Sequence, residues 1–335
     1  MGIDLPLLWM IIIAFALMTY VIMDGFDLGI GILLPFVPDR ADRDTMVNTV
    51  APVWDGNETW LAFGGAALLG VFPLAYSVIL SALYLPILLM LAGLIWRGVS
   101  FEFRFKAVEA DRPFWDKAFA WGSYIATFCQ GVALGAFING FAVSNGAYSG
   151  GALDWLTPFS VFTGLGLLVT YALLGSTWLV MKTEGKLHTR MKELARRITI
   201  GVVLAIVIVS VWTPLSHPAV AVRWFTFPNI VFFSPVPVLV LLATWALSRT
   251  LRRDSHAAPF LLALFLVFLG YSGLAISVWP HIIPPGISIW DAASPPESMG
   301  FTLVGALFII PFILGYTGWS YYVFRGKVKG GEGYH

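Results

Sequence analysis

Long apolar stretches follow one another along almost the whole chain and are separated by short polar connections. An α-helix needs about 20 apolar residues to cross a bilayer. Stretches of about that length or more cover residues 5–36, 51–72, 76–98, 118–139, 157–181, 197–216, 229–249, 257–280 and 300–324. Strands of a membrane barrel are shorter, at about 10 residues. The pattern therefore predicts an all-α polytopic membrane protein with nine transmembrane helices, in which residues 1–335 form a single transmembrane domain.

Composition supports a membrane protein and argues against a nucleic-acid partner. Hydrophobic residues make up 58% of the 335 residues, charged residues only 12%, and the mean hydropathy is +0.82. Soluble proteins carry about 25% charged residues. The net charge is +1, and no basic patch is interleaved with aromatic residues, so we expect no nucleic-acid partner.

The basic residues are concentrated in alternate connections. Nearly all of the 20 Lys and Arg residues follow the first, third, fifth, seventh or ninth stretch, and only Arg223 does not. Cytoplasmic connections of membrane proteins carry an excess of Lys and Arg. We therefore expect the N-terminus outside and the C-terminus in the cytoplasm, an alternation that an even number of helices would break. No basic segment precedes Leu5, so we expect the first stretch to remain in the mature protein.

Four acidic residues interrupt two neighbouring apolar stretches. Asp24 and Asp27 lie near the end of the first stretch, and Asp55 and Glu58 lie at the start of the second. Residues three apart on a helix share a face. At 1.5 Å per residue, Asp24 lies about 28 Å along a helix that begins at Leu5. We therefore expect all four acids at cytoplasmic depth, where the first two helices meet.

These acids have a functional and a structural interpretation. Ionisable groups at membrane depth are costly and are functional candidates by default, for example as members of a proton route. The alternative is helix capping, because the segment from Asp55 to Glu58 fits a capping box and Asp24 would end its helix. Arg97, which closes the third stretch, is the nearest counter-charge.

No residue in the apolar stretches is placed to ligate a haem or another metal centre. Haem iron in a helical bundle is normally bound by His, Met or Cys. The five histidines lie away from the middle of every stretch, and the methionines within the stretches lack an axial partner. We therefore expect this chain to provide no haem ligand and no metal ligand.

Three motifs resemble those of a known family, subunit II of the cytochrome bd-type quinol oxidases. They are DGFDLG at 24–29, APVWDGNETW at 51–60 and RGVSFEFR at 97–104. The length, the nine helices and the outside N-terminus are similar to that family over essentially the whole chain, although the second half resembles it mainly in topology. Thr59 and the short connections are closer to the cyanide-insensitive branch.

The resemblance implies an electrogenic, non-pumping oxidase in the bacterial cytoplasmic (inner) membrane, which oxidises ubiquinol and reduces O2 to water. It also implies that haem b and haem d are bound by the partner, subunit I, and that this chain folds as two four-helix bundles plus one extra helix. The other expected partners are a small single-helix subunit, lipid and a quinone bound in a structural capacity.

The resemblance also implies roles for single residues. Asp55 matches an acid that faces the haem-bearing subunit and delivers protons, and Asp24 and Asp27 match an acidic pair near the cytoplasmic entrance. Glu58 joins this proton route by its position, and Trp60 matches an indole near the lateral access of O2. Structural or charge-compensating roles are expected for Trp54, Asn57, Arg97, Glu102 and Arg104.

Two alternatives to a proton-conducting oxidase subunit stay open at this point. Intramembrane acids are also typical of proton-coupled secondary transporters, which often carry broken helices at corresponding positions of two inverted repeats. Here both acidic motifs lie in the first half of the chain. A scaffolding subunit with purely structural acids differs only in whether the acids conduct protons.

Overall fold

Helices account for most of the chain in the structure, a computed structural model that describes residues 3–253 and 255–328. The helices are α1 Leu5–Leu33, α2 Arg40–Asn48, α3 Trp54–Val71, α4 Pro73–Ala82, α5 Tyr84–Lys106, α6 Arg112–Asn139, α7 Pro158–Lys182, α8 Gly185–Ser216, α9 Pro218–Phe225, α10 Asn229–Phe233, α11 Pro235–Thr250, α12 Ala258–Val278 and α13 Pro296–Val323. A short 3-10 helix, Leu34–Phe36, continues α1. Two antiparallel hairpins pair β1 Val143–Ser144 with β2 Ala147–Tyr148, and β3 His281–Ile283 with β4 Ile287–Ser288.

Within the described residues, eight helices are long and apolar enough to cross a membrane. They are Leu5–Phe36, Tyr84–Lys106, Arg112–Asn139, Pro158–Lys182, Gly185–Ser216, Asn229–Thr250, Ala258–Val278 and Pro296–Val323. The all-helical membrane fold is thereby confirmed. The predicted span 51–72 corresponds to α3, which is helical but less apolar because its first turns carry Asp55, Asn57 and Glu58. The ninth transmembrane helix and the orientation of the termini stay predictions.

The predicted span 76–98 is wrong in its boundaries. The helix breaks at Leu83, between α4 and α5, and α5 continues to Lys106. Pro86 explains the break, since a proline lacks the N–H that a continuous helix would bond to Ala82 and its ring would clash with that carbonyl. In the first turn of α5 the same proline is tolerated.

Two further helices begin before the apolar stretches that predicted them. α8 starts at Gly185, although its predicted span starts at 197, and α6 starts at Arg112, although its predicted span starts at 118. In both cases the added turns are polar and basic. Hydropathy marks the part of a helix that lies in lipid, and the helix itself continues into the polar region.

The second half of α1 lies at the centre of the molecule. α1 packs against α3, α6 and α7, and every residue from Asp24 to Leu34 is buried. α5 packs on α6, and α6 packs on α7. α7 also contacts α8 and α12, α11 contacts α8 and α12, and α13 lies against α3 and α1.

A close crossing of α1 and α7 depends on two glycines. A Cβ atom built on Gly29 would overlap the carbonyl oxygen of Tyr171, and one on Gly175 would lie 2.5 Å from the carbonyl carbon of Gly29. Small residues at such crossings allow two helix backbones to approach closely. The two helices therefore make backbone contact beside the buried segment of α1.

The two hairpins lie at the end of the molecule where α1 begins. Ile282, Ile283 and Ile289 of the second hairpin are buried in an apolar cluster with Trp9, whose indole N–H donates to the carbonyl of Met299 at 3.1 Å. The N–H and hydroxyl of Ser288 donate to Asp291, and these hydrogen bonds lower the pKa of that carboxyl. The proline-rich connection thus packs on the helices rather than extending from them.

The end of α13 is attached to the end of α7. The Lys182 ammonium is buried and donates to the carbonyls of Phe324 at 2.6 Å and Gly326 at 3.2 Å. The Val328 N–H donates to the carbonyl of Lys182 at 3.0 Å. Cationic side chains commonly bond the unsatisfied carbonyls at the end of a helix. Here the cation comes from a different helix, so the bond is also a tertiary contact.

Candidate functional site

The two acidic motifs lie within helices. α1 continues for nine residues beyond Asp24, so the interpretation of Asp24 as a helix terminator is wrong. The capping-box interpretation is wrong as well, because α3 begins at Trp54 with Val53 as its N-cap and has no side-chain cap. The first N–H group of α3, that of Trp54, donates to the backbone carbonyl of Val50 at 3.1 Å.

Arg97 lies between the carboxyl groups of Asp24 and Glu58. Its Nη1 atom is 2.9 Å from Oδ1 of Asp24, and its Nη2 atom donates to Oε1 of Glu58. The side chains of Arg97 and Asp24 are 0% and 1% exposed, whereas that of Glu58 is 28% exposed. The guanidinium therefore joins α1, α3 and α5, and Glu58 is the member of the cluster that reaches the surface.

Asp27 lies in a separate hydrogen-bonded group. Its Oδ2 atom accepts from Nδ2 of Asn57 at 2.7 Å, and Oδ1 of Asn57 accepts from the Tyr321 hydroxyl at 3.0 Å. Nδ2 of Asn57 also donates to the Met23 carbonyl at 3.3 Å. Asp27 is fully buried, and its Oδ1 atom has no hydrogen-bond partner among the residues that the structure describes.

A third polar group, which the sequence did not single out, starts one helical turn before Asp24. Nε2 of Gln130 donates to the Tyr20 hydroxyl at 2.7 Å, and the Tyr171 hydroxyl donates to Oε1 of Gln130 at 3.0 Å. Gln130 is an isolated amide in an apolar stretch, and this feature of the sequence could have predicted an internal polar contact. Tyr20, Tyr171 and Tyr321 gave no such signal because tyrosines are common in apolar helices.

Asp55 is not part of the buried cluster. It lies in the first turn of α3, and its side chain is exposed, although Glu58 follows one turn later and bonds Arg97. Glu102, on α5, is also exposed and forms no ion pair with the described residues. Of the four acids, the structure brings Asp24, Asp27 and Glu58 together and places Asp55 at the adjoining surface.

The two tryptophans of the second motif lie in different surroundings. Trp54 is half-buried and stacks on Phe101, with ring centroids 5.4 Å apart, and the Arg97 guanidinium lies 5.8 Å from its ring. Trp60 is fully buried between α1 and α3 and meets Phe15 edge to face at 5.7 Å. The Trp60 indole N–H finds no hydrogen-bond partner within the described part of the chain.

Arg104 belongs to a second ion-pair cluster, which joins α5 to α2 and α6. Its Nε atom lies 2.6 Å from Oδ1 of Asp116 and its Nη2 atom lies 2.7 Å from Oδ1 of Asp44. Arg43 also reaches Asp116, at 3.1 Å. Arg97 and Arg104 are two turns apart on α5, so the same helix face carries both clusters.

Possible metal ligands are dispersed in the part of the chain that the structure describes. Within residues 3–253 and 255–328, no three His, Cys, Asp or Glu side chains are grouped to bind a metal ion. His188 lies beside His256 at a helix end, with ring centroids 5.0 Å apart, and His217 contacts the Asn139 amide at 3.2 Å. His335 lies outside the described residues.

The sequence of the chain is similar to that of a known family over almost its whole length. A sequence profile described as cytochrome bd terminal oxidase subunit II matches residues 5–324. The chain belongs to this family. Membership decides between the candidate functions, and the chain is a subunit of a bd-type quinol oxidase of the respiratory chain rather than a secondary transporter.

Individual relatives in this family are similar over almost their whole length. The cytochrome bd-I ubiquinol oxidase subunit 2 of Escherichia coli (strain K12) is 27% identical over 363 residues, which cover 97% of this chain and 95% of the relative. The cytochrome bd ubiquinol oxidase subunit 2 of Bacillus subtilis (strain 168) is 27% identical over 334 residues, with 96% of each chain covered. The probable cytochrome oxidase subunit 2 of Haemophilus influenzae is 29% identical over 368 residues, covering 97% of this chain and 95% of the relative.

A solved structure has the same fold. A chain of the bd oxidase from Geobacillus thermodenitrificans superposes with a TM-score of 0.78 at 16% sequence identity, over 97% of this chain and 100% of that chain. The helical arrangement described above is therefore that of a bd oxidase subunit.

Proposed function

We propose that this chain supplies protons, and a path for O2, to haem groups bound by a partner subunit I in the bacterial cytoplasmic membrane. The expected haems are haem b and haem d, and the expected electron donor is ubiquinol. A small single-helix subunit, lipid and a structural quinone complete the proposed complex. Membership of the cyanide-insensitive branch stays a prediction from Thr59 and the short connections.

One observation carries the proposed proton route. A fully buried group of acids, Asp24 and Asp27, lies beside Glu58, which is partly exposed, and Asp55 lies one turn away on the surface of the same helix. Intramembrane acids that face a protein interior are typical of proton relays. In the proposed route Asp24 and Asp27 are the outer members, which receive protons from the cytoplasmic side, Glu58 is the link, and Asp55 is the inner relay that transfers protons across the boundary with the partner.

The proposed route is consistent with an electrogenic, non-pumping reaction. Reduction of O2 consumes protons at a site from which bulk water is excluded, so the protons must arrive through side chains or ordered water. Protons taken from the cytoplasmic side carry charge into the membrane while electrons arrive from the quinol. Acids near the cytoplasmic ends of the helices are sufficient for this charge movement.

The proposed arrangement in the membrane has nine helices and the N-terminus outside. α3 has 18 residues and is about 27 Å long, close to the bilayer core of about 30 Å. The packing supports two four-helix bundles, one of α1, α3, α5 and α6 and the other of α7, α8, α11 and α12, with α13 as the extra helix beside α3. The proposed O2 path follows the buried apolar contact of α1 and α3 around Trp60.

The Asp55→Asn variant tests the proton route. We expect O2 consumption with ubiquinol to fall by about 100-fold, the low end of the effect of losing a proton-transfer group. We expect the haem absorption of the purified complex to stay unchanged, because Asp55 is exposed and bonds no buried partner through its carboxyl. The matched control is Glu193→Gln, which removes an exposed carboxylate from α8 and should leave O2 consumption unchanged.

Two outcomes of this experiment contradict the proposal in different ways. Normal O2 consumption by Asp55→Asn would show that Asp55 does not conduct protons. Loss of the haem spectrum would show instead that Asp55 is needed for assembly with the partner, and a scaffolding role for the acids would then be the better explanation.

A further inference from the structure

Asp24 and Asp27 lie one helical turn apart and are both fully buried, but their surroundings differ. Asp24 is 2.9 Å from the Arg97 guanidinium, whereas Asp27 forms no ion pair with any described residue. Burial of an ionised carboxylate without a paired cation costs far more free energy than burial of the neutral acid. Ionisation therefore costs more free energy at Asp27 than at Asp24.

The charges around Asp27 lead to the same conclusion. The groups that act on it are the acids Asp24 and Glu58, the cation Arg97 and the neighbouring hydroxyl of Tyr321. Arg97 already contacts the carboxyl groups of both Asp24 and Glu58. A third ionised carboxylate would leave two uncompensated negative charges in a buried cluster, which is the costly arrangement.

The Asn57 amide restricts which oxygen of Asp27 can carry a proton. The Met23 carbonyl can only accept a hydrogen bond, so the amide nitrogen must face Met23 and Asp27, to which it donates both of its hydrogens, and the amide oxygen accepts from the Tyr321 hydroxyl. Oδ2 of Asp27 is thus an acceptor and cannot hold a proton toward Asn57. Oδ1 of Asp27, which is buried and has no partner, is the remaining position.

We propose that Asp27 stores a proton on Oδ1 at neutral pH, that Asp24 is the ionised partner of Arg97, and that Asn57 and Tyr321 are positioning residues for Asp27. This assignment deepens the proton route proposed above and rests on that route for the use of the stored proton in turnover. When the O–H bond of Asp27 breaks, the proton moves to the next acceptor and Asp27 becomes a carboxylate. A proton from the cytoplasmic side restores the acid, and no electrons are exchanged.

Infrared spectroscopy of the complete oxidase complex tests the assignment. A protonated carboxyl group has a C=O stretch that is separate from the bands of carboxylates and shifts in D2O. We expect the spectrum of the wild-type complex minus that of Asp27→Asn to show one such band. An asparagine has the shape of the neutral acid, so the Asp27→Asn complex should assemble. The Asp24→Asn complex should keep the band.

Two results would overturn the assignment. One is a spectrum of Asp27→Asn that retains every protonated-carboxyl band, and the other is loss of the band in Asp24→Asn instead. Should Asp24→Asn fail to assemble, the combined variant Asp24→Asn and Arg97→Gln keeps the net charge of the wild-type cluster and provides the same comparison.

A matched pair of variants on α13 tests the positioning role. Tyr321→Phe removes the donor to Oδ1 of Asn57, so the amide is held only by Met23 and Asp27 and its hydrogen bond to Asp27 changes. We expect the Asp27 band to shift but to remain. Tyr316→Phe, an exposed tyrosine on the same helix, should leave the band in place. A band at the wild-type position in Tyr321→Phe would contradict the positioning role.

The spectral result is independent of the proposed proton route. If Asp27→Asn loses the band and the complex still reduces O2 at the wild-type rate, the stored proton on Asp27 is supported and the route through Asp27 is contradicted. If both the band and the O2 consumption are lost, both proposals are supported.

Discussion

At the scale of single residues, Arg97 determines the charge of the whole acidic cluster. It contacts acids from α1 and α3 while itself belonging to α5, and it is completely buried. A buried ion pair adds little net stability compared with apolar residues of the same volume, but removing one partner is costly. The acids of α1 and α3 therefore depend on Arg97 of α5 for their counter-charge.

Arg97→Met tests this dependence. We expect the complex to lose about 3–5 kcal/mol of stability, because the variant leaves buried carboxylates without their counter-charge. Thermal unfolding of the purified complex measures the loss. Asp24→Asn in the same background should recover part of it, since it removes one of the unpaired charges.

The control for this variant is Arg252→Met, which removes an exposed arginine. It should change the unfolding temperature little, as most surface substitutions do. Equal losses in the two arginine variants would mean that the buried contacts of Arg97 contribute no more than an exposed charge does.

The sequence indicated part of this site and missed the rest for a physical reason. The i, i+3 spacing indicates that Asp24 and Asp27 share a side of a helix. Arg97, which closes the third apolar stretch at the same cytoplasmic depth, is the nearest counter-charge in the sequence. Whether Asp55 points inward depends on the residue at which α3 begins and on the rotation of α3 about its axis. Those are set by tertiary packing against α1 and α13, which the local pattern does not contain. Tyr171 and Tyr321, which complete the network, come from helices distant in sequence.

At the scale of elements, backbone contact between α1 and α7 fixes the position of the buried acids. Gly29 lies five residues beyond Asp24 and two beyond Asp27, and it allows the two helices to touch. Tyr171, whose carbonyl lies against Gly29, also carries the hydroxyl that bonds Gln130. The crossing and the polar network therefore share a residue.

Gly29→Ala tests the crossing. The added methyl group would overlap the Tyr171 carbonyl, so the helices must move apart, and we expect a loss of about 1–3 kcal/mol as for other overpacked positions. Gly270→Ala on α12 is the control, because a Cβ atom there has nothing within 4 Å. Thermal unfolding of both variants makes the comparison, and equal stability would contradict the close contact.

Hydropathy predicts where helices lie in lipid better than where they begin and end. The span 157–181 agrees closely with α7, because Thr157 and Ser160 form a capping box at one end and Thr183 ends the helix at the other. The span 76–98 failed because Pro86 interrupts an apolar stretch that has no polar residue to mark the break. The start of α8 was missed because a polar helix outside lipid gives no hydrophobic signal.

At the scale of the whole molecule, the distribution of basic residues predicts which side each connection faces. The connection between α6 and α7 contains β1 and β2 and has no Lys or Arg, whereas the polar start of α8 carries several. If the positive-inside rule holds for this chain, these two neighbouring connections lie on opposite sides of the membrane.

Cysteine labelling tests the orientation. Ser149→Cys and Thr189→Cys each introduce an exposed thiol, whereas the native Cys129 is buried. We expect a membrane-impermeant maleimide to label Ser149→Cys in intact spheroplasts and to label Thr189→Cys only after lysis. The reverse pattern would invert the orientation, and labelling of both from outside would contradict the alternation itself.

The attachment of α13 through Lys182 has a consequence for biogenesis. Lys182 leaves the ribosome 142 residues before Phe324 and 144 residues before Gly326, whose carbonyls it binds. Until those residues leave the ribosome, the ammonium must be hydrated or bound elsewhere. The contact between α7 and the end of α13 thus forms only after α13 has been synthesised.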